Sequence, residues 1–250
     1  MTLTSSADRR AARRARRLQS PFAQLPFRRI QNHFPPLEVI TPEQVEQLHE
    51  ASMEILENIG IMFMDAETLD LWEKAGARVD HRNQHVWFDR GLILGLVAKA
   101  PPQFTWRARN PARDMVVGGN YLMFAPNGGV IFAQDLDQGR RPGTLDDYYK
   151  FLRLTQLCPL LHTTGDQLVV PHDVPVSFRH LRRSYGAWTI CDKVAMEAPH
   201  GRIIPADAIA MANIVFGTDV TKLPEPVLGG IINSSSPLRY DERMLGGMIT

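Results

Sequence analysis

Cysteine is scarce in this sequence, which has only Cys158 and Cys191 among its 250 residues. The two thiols are far apart, form no Cys-x-x-Cys pair and have no third thiol with which to build a metal site. A disulfide framework is typical of small secreted domains, whereas a chain of this length can bury a large core. Both cysteines are therefore predicted to be ordinary buried thiols.

Long apolar runs are missing as well. The sequence has no stretch of about 18 apolar residues that could span a bilayer, and no apolar segment near its start with the form of a secretory signal. We therefore expect a cytoplasmic protein that has no membrane partner.

Three motifs with well-defined chemistry are also absent from the sequence. It has neither the G-x-x-x-x-G-K-[ST] loop that binds phosphates nor the G-x-G-x-x-G turn that binds dinucleotides. It also lacks the G-x-S-x-G elbow that presents a serine for acyl transfer. These absences predict that the protein has no nucleotide cofactor and is not a serine hydrolase of that type.

Positive charge is concentrated in a tail, because six arginines lie within the first 17 residues and Asp8 is the single acid among them. Residues 1–35 are therefore predicted to form a basic arm that is disordered or extended. A transit peptide and a nucleic-acid-binding arm are the alternatives, and the second requires DNA binding that depends strongly on salt. We predict no nucleic-acid partner.

Residues 36–115 are predicted to form an α+β region. A helix over residues 41–60 has a capping box and a proline at its first position, and Gly60 ends it. Its apolar stripe, which includes Val45 and Leu48, would have to be covered by another element. Two strands about an Asn83 turn follow. The predicted N-caps of the three helices in this region are Thr41, Asp65 and Asp89.

Residues 116–250 show a different pattern, in which apolar strand-like segments alternate with helices. The strand-like segments are residues 121–132, 160–164, 193–198 and 227–233. This alternation is typical of parallel α/β architecture. We predict a TIM-type (β/α)8 barrel of which only about the first four βα units are present, since a closed barrel needs eight. The rival, a doubly wound four-stranded sheet, would usually carry the glycine fingerprint that is absent here.

Polar or aromatic side chains follow each predicted strand, at the end where α/β barrels place their reacting groups. The candidate substrate-binding residues are Phe124, Asp166, Glu197 and Asn233. Asp166 and Glu197 could form a carboxylate pair for acid/base work or for holding a cation. Asn233 could orient a substrate carboxylate, and Phe124 could offer an aromatic face to a quaternary ammonium. Loop capping, helix capping and core packing are the alternative roles.

A metal site is a weaker interpretation of the same region. Histidine and aspartate side chains cluster at His162, Asp166, His172 and Asp173. A site of two histidines and one carboxylate would need such residues, but their spacing fits no ligand signature, and H-E-x-x-H is absent. We predict no bound metal.

Four stretches of the sequence carry a specific resemblance to a known family. They are HEASMEILENIGIMF (49–63) with EKAGARVD (73–80), APPQFTWRARNPARDMVVGG (100–119), DLDQGRRPGTLDDYYKFLRL (135–154) and INSSSPLRYDERML (232–245). Together they resemble the trimethylamine methyltransferase family, corrinoid-dependent barrel enzymes that demethylate methylated amines. The resemblance covers nearly the whole chain from Phe34 onward. Because family members are longer, the sequence is expected to correspond to their N-terminal half.

The resemblance implies a methyltransferase that moves a methyl group from a tertiary or quaternary amine, of the trimethylamine or glycine betaine type, to cobalt. The cobalt would belong to a corrinoid (cobalamin) carried by a separate partner protein. Some family members contain pyrrolysine, at a position that would fall beyond this sequence. The alternative is a non-catalytic relative that binds a methylated amine, and a homo-oligomer is compatible with both. No catalytic residue is assigned from the sequence.

Overall fold

A computed structural model describes residues 25–250 of the chain. The arginines of the tail lie outside the described residues, and so do the disordered or extended arm predicted for them and its two alternatives, a transit peptide and a nucleic-acid arm. Within the described part of the arm, β1 (Ile30–Gln31) pairs antiparallel with β7 (Tyr121–Leu122). Backbone hydrogen bonds therefore fasten this extended segment to the region that begins near residue 116.

The first helix, α1 (Pro42–Glu54), begins where the sequence predicts. The Thr41 hydroxyl accepts from the Gln44 N–H at 3.3 Å, and Gln44 Oε1 accepts from the Thr41 N–H at 2.9 Å, so the capping box is confirmed. One π-helical turn, Ile55–Ile59, carries the helix on to Gly60. Glycine suits this position because its φ is +78°.

The predicted apolar stripe of α1 is exposed rather than covered. The exposed fraction is 53% for Val45 and 61% for Leu48, whereas Met53 is buried and Leu56 packs against the core. The buried Met53 comes five residues after Leu48 and therefore lies on a different face of the helix, so the stripe through Val45 and Leu48 does not mark the buried face. The prediction that the whole stripe is covered is therefore wrong for the described part of the chain.

A four-stranded sheet forms the core of the α+β region. Its elements and the adjoining helices are β2 (Ile61–Phe63), α2 (Ala66–Ala75), β3 (Arg78–Asp80), β4 (His85–Trp87), α3 (Arg90–Val97) and β12 (Arg239–Tyr240). The strand order is β12-β2-β4-β3. The predicted hairpin is confirmed as the antiparallel pair β3–β4, and Asp65 and Asp89 cap their helices as predicted. The parallel pairing of β12 with β2 was not predicted.

Two further antiparallel strand pairs follow along the chain, before the first helix of the βα region. They are β5 (Gln103–Trp106) with β6 (Met115–Gly118), and β8 (Phe132–Asp135) with β9 (Gly139–Pro142). The predicted strand over residues 121–132 is interrupted, because only its two ends belong to strands. Pro126 and the Gly128-Gly129 pair lie in the irregular stretch, where proline and glycine disfavour a continuous strand.

Helices and short parallel segments alternate through the rest of the chain. They are α4 (Leu145–Leu157), α5 (Val176–Ile190), β10 (Ala195–Met196), α6 (Ile203–Phe216), β11 (Leu228–Gly229) and α7 (Glu242–Met248). Thr144 caps α4, and Asp241 caps α7. No helix within residues 25–250 has the length and apolar content needed to cross a membrane.

Backbone hydrogen bonds place four extended segments side by side in chain order. The His162 N–H donates to the Phe124 carbonyl at 2.8 Å, Thr163 forms a parallel bridge with Val194, and β10 pairs in parallel with β11. A helix connects each of these segments to the next, as in consecutive βα units. The regular strands are shorter than predicted, and closure into a barrel stays a prediction.

The parallel segments are covered on both faces. Val194 and Met196 lie in one cluster with Trp106 and Met115, on the side of β5 and β6. Ala195 lies in another cluster with the α5 and α6 side chains, so successive residues of β10 point to opposite faces. This alternation determines where the residues that follow β10 point.

Asp147 joins the start of α4 to the hairpin that precedes it. The carboxylate is 5% exposed and accepts hydrogen bonds from the Thr144 N–H at 3.0 Å and from the two Arg141 Nη atoms at 2.9 and 3.0 Å. Burial raises the pKa of Asp147, but the hydrogen bonds and charge of Thr144 and Arg141 lower it by more, so the net shift of the pKa is downward. The helix start therefore depends on an ionised carboxylate.

Replacing Asp147 by asparagine should lower the free energy of unfolding by about 2 kcal/mol near neutral pH, because Arg141 loses its bidentate partner. The contribution of a lowered pKa is present above the pKa of the unfolded acid and is lost as the pH falls through the folded pKa. Asp147→Asn should therefore reduce the acid sensitivity of the chain. Urea denaturation at neutral and acid pH measures both effects. Asp146→Asn, at an exposed neighbouring position, is the control, and equal losses in the two variants would contradict this role.

Candidate functional site

The candidate site lies where the second and third parallel segments end. Asp166 follows the Thr163 bridge, and Glu197 follows β10. The two segments are held in register by Thr164, whose N–H donates to the Val194 carbonyl at 3.0 Å and whose Oγ1 accepts from the Met196 N–H at 3.0 Å. The carboxyl ends of parallel neighbours meet at one edge, so the two acids share it.

Glu197 is buried below this edge. It lies two residues after Ala195 and therefore points to the same face, towards the α5 and α6 layer rather than the Trp106 side. The residue is only 6% exposed, and its Oε1 atom has no hydrogen-bond partner among residues 25–250. Burial raises the pKa of Glu197 to about 7, against the lowering effects of the Ser184 hydroxyl and the Arg183 charge.

Two further buried groups accompany Glu197. Arg183 on α5 is 4% exposed, and its Nη1 donates to Gln167 Oε1 at 3.0 Å. Tyr148 on α4 is 1% exposed, and burial, followed by the negative charge of Glu197, raises the pKa of its phenol. The carboxyl, guanidinium and phenol groups therefore form one buried polar cluster between the parallel segments and the helices.

Asp166 lies at the rim of the cluster and is partly exposed. Its Oδ1 accepts from the Gln167 N–H, and a Cβ atom at Gly128 would collide with the same carboxylate. The Gly129 N–H donates to the Gln167 carbonyl at 2.7 Å, which brings the loop after the first segment against the loop after the second. The side chain of Asp166 is thus the acid of this site that solvent and a ligand can reach.

His200 follows Glu197 by three residues and lies close enough to Asp166 for the charge of Asp166 to affect its imidazole. Burial, followed by the charges of Arg243 and Arg183, lowers the pKa of its imidazole, whereas Asp166 and Asp241 act in the opposite direction. The ring is therefore neutral near pH 7. Together the rim presents one carboxylate and one neutral imidazole, which suits recognition of a positively charged group.

The other two predicted site residues are not part of this cluster. Phe124 is 49% exposed and stacks on His162 with 6.1 Å between ring centroids, so an aromatic face is available at the end of the first segment. Asn233 is exposed, and within residues 25–250 its side chain has no hydrogen-bond partner. Helix capping by Asn233 is not observed, because Asp241 caps α7 itself.

Two of the four candidate metal ligands are engaged in other hydrogen bonds in the structure. His162 is fully buried, with Nδ1 accepting from the Phe124 N–H at 2.9 Å and Nε2 lying 3.0 Å from the Arg28 carbonyl. Asp173 accepts from the Leu145 N–H at 2.9 Å. Among the described residues, a different group at the surface brings its ligand atoms within 4.8 Å of one another: Asp70, Glu73 and His81. The absence of a bound metal stays a prediction.

Arg183 and Tyr148 were not predicted from the sequence as site residues. The sequence does contain a pattern that points to Arg183. The buried residues of α5 recur at helical spacing, and they are His180, Arg183, Ser184, Gly186, Ala187 and Trp188. An arginine inside such a stripe must be paired when the helix packs, because an unpaired buried charge is costly. A charged residue on a buried stripe therefore marks a candidate site residue.

Most of the chain is similar to known methyltransferases. The model of the family described as trimethylamine methyltransferase (MTTB) matches residues 6–250. The chain is 37% identical over 216 residues to a glycine betaine methyltransferase of Desulfitobacterium hafniense (strain Y51), covering 86% of this chain and 44% of that protein. It is 24% identical over 200 residues to the trimethylamine methyltransferase MttB of Desulfitobacterium hafniense (strain DSM 10664 / DCB-2), covering 79% and 40%. The chain thus spans less than half the length of these curated relatives.

Glu197→Gln should flatten the dependence of stability on pH. A carboxyl whose pKa is raised from 4.5 to about 7 stabilises the fold fully below pH 4.5, and this stabilisation is lost as the pH rises through about 7. The wild type should lose about 2 to 3 kcal/mol more of its unfolding free energy than Glu197→Gln over this range. Urea denaturation across the range measures the difference. Glu54→Gln, at an exposed position of α1, is the control, and parallel wild-type and Glu197→Gln curves would refute the assignment.

Proposed function

The chain belongs to the trimethylamine methyltransferase family, and from that premise we propose that the whole protein transfers a methyl group from a methylated amine. Glycine betaine is the first candidate substrate, and trimethylamine is the second. The observation that carries this proposal is the similarity to a glycine betaine methyltransferase at 37% identity over 216 residues. Because the identity to a trimethylamine methyltransferase is lower, at 24%, we propose trimethylamine as the second candidate.

The proposed methyl acceptor is the reduced cobalt of a corrinoid that a separate protein carries. When the C–N bond breaks, the amine nitrogen keeps the electron pair and leaves as a neutral amine, and the methyl carbon forms its new bond with the electron pair of cobalt(I). A quaternary amine already carries the positive charge that makes it a leaving group, whereas a tertiary amine such as trimethylamine leaves as a neutral amine only from its protonated form. The protein then needs to position the two reactants and exclude water.

The proposed architecture is a TIM-type barrel that continues the four parallel segments. Their order in space follows their order in the chain, and a helix connects each segment to the next. In such a barrel the loops after the strands surround the substrate. The loops that contain Phe124, Asp166 and Asn233 would then form one part of the mouth.

Among the candidate residues, Asp166 is proposed to hold the positive charge of the amine. It is a partly exposed carboxylate at the rim, whereas Glu197 is buried below it. Glu197 would therefore affect the bound amine indirectly, through its charge when ionised and through its contacts with neighbouring residues. Phe124 would add an aromatic face for the methyl groups, and Asn233 would donate to a substrate carboxylate.

Methyl transfer can be tested with the protein, a reduced corrinoid protein and either glycine betaine or trimethylamine. The expected result is the absorption change from cobalt(I) to methylated cobalt, with glycine betaine as the better substrate. Calorimetric binding of an amine without any spectral change would favour the non-catalytic alternative. A protein that neither binds nor demethylates any methylated amine would contradict the proposal.

Asp166→Asn should raise the KM for glycine betaine about tenfold, because the carboxylate no longer balances the charge of the ammonium group. Steady-state rates at several substrate concentrations measure this change. Asp137→Asn, which removes an exposed acid in the β8–β9 turn, is the matched control and should leave KM unchanged. An unchanged KM in Asp166→Asn would exclude Asp166 from substrate binding.

A further inference from the structure

We propose that Arg183 is a positioning residue, which holds the Asp166 carboxylate in its binding orientation by way of Gln167. The inference rests on the proposed function only for the identity of the ligand. The contacts that carry it are within the chain, and they run from α5 to the rim of the site.

The first contact is between Arg183 and Gln167. The guanidinium is almost fully buried and donates to Gln167 Oε1 at 3.0 Å. Among residues 25–250 no carboxylate lies within ion-pair distance of the guanidinium, so Gln167 Oε1 is its close acceptor there. A buried guanidinium with a single close acceptor fixes the position of that acceptor, because leaving the charge without it is costly.

The second set of contacts joins Gln167 to both loops of the site. Its N–H donates to Asp166 Oδ1, and its carbonyl accepts from the Gly129 N–H at 2.7 Å. One residue thus ties α5, the loop after the first segment and the loop after the second. If the Gln167 side chain is no longer held by Arg183, the Gln167 backbone becomes free to move, and its hydrogen bonds to Asp166 and Gly129 are weakened.

The last step concerns Asp166 itself. Oδ1 is occupied by the Gln167 N–H, and the absence of a side chain at Gly128 leaves room for the carboxylate beside the neighbouring loop. Oδ2 has no hydrogen-bond partner among the described residues and is the atom left to face a cation. Arg183 therefore has no contact with the ligand, but determines which oxygen is free to make one.

Two variants test this relay. Arg183→Gln removes the charge, and Gln167→Met removes the accepting oxygen while leaving the backbone contacts possible, so that a folding failure of the first leaves the second informative. Arg182→Gln, at the exposed neighbouring position on α5, is the matched control. The measurements are hydrogen exchange of the Gly129 amide in the absence of any substrate, and the separate effects on KM and kcat for glycine betaine.

Both variants should speed exchange of the Gly129 amide roughly tenfold, since its acceptor is no longer held. They should also raise KM roughly tenfold with kcat within about twofold, because substrate binding is affected more than chemistry. The double variant should be no worse than either single variant, because both act on one contact.

The relay would be disproved by unchanged Gly129 exchange in both variants, by effects that add in the double variant, or by a loss confined to kcat. If the wild type neither binds nor demethylates a methylated amine, the proposed function fails. The substrate-free exchange measurements on Gly129 then still decide whether Arg183 positions the Asp166 loop.

Discussion

The parallel pairing at Thr164 is the constraint on which the candidate site depends. Its backbone N–H and side-chain Oγ1 both bond to the third segment, at Val194 and Met196. A shift of one residue would turn every side chain of β10 to the opposite face, because strand side chains alternate. Glu197 would then leave the helix layer, and the cluster with Arg183 and Tyr148 would not form.

The burial of Glu197 shows how one register gives two acids different properties. Asp166 lies on a loop at the edge and stays accessible, whereas Glu197 is buried against α5, and its Oε1 atom has no hydrogen-bond partner in the described part of the chain. Desolvation favours the neutral carboxylic acid, and the nearby Arg183 charge favours the carboxylate. In the proposed function, Asp166 would meet the cation, and Glu197 would set the electrostatic environment behind it.

Local features of this fold could be predicted from the sequence, and pairings between distant residues could not. The predicted caps Thr41, Asp65 and Asp89 all form, because a capping side chain bonds to an amide a few residues away. The pairing of β12 with β2 joins segments with no shared sequence pattern. The buried face of α1 also escaped prediction, since apolar spacing alone does not show which face of a helix the rest of the fold covers.

The candidate site was predicted in part for the same reason. Asp166 and Glu197 could be found because they follow apolar strands, and strand ends are recognisable in the sequence. Their different exposure could not be derived, since it depends on the exact residue at which β10 begins and on the helix that packs above it. Arg183 belongs to a helix, where a search of strand ends does not look.

The parallel contact between β12 and β2 has a consequence for synthesis of the protein. The edge strand of the N-terminal sheet is made near the other end of the described chain. A ribosome therefore releases β2, β3 and β4 long before their fourth strand exists, and the apolar residues Phe63 and Val86 must wait for Leu245 to complete their cluster. The α+β region and the βα region are thus joined by their order of assembly, and the first cannot reach its final form ahead of the second.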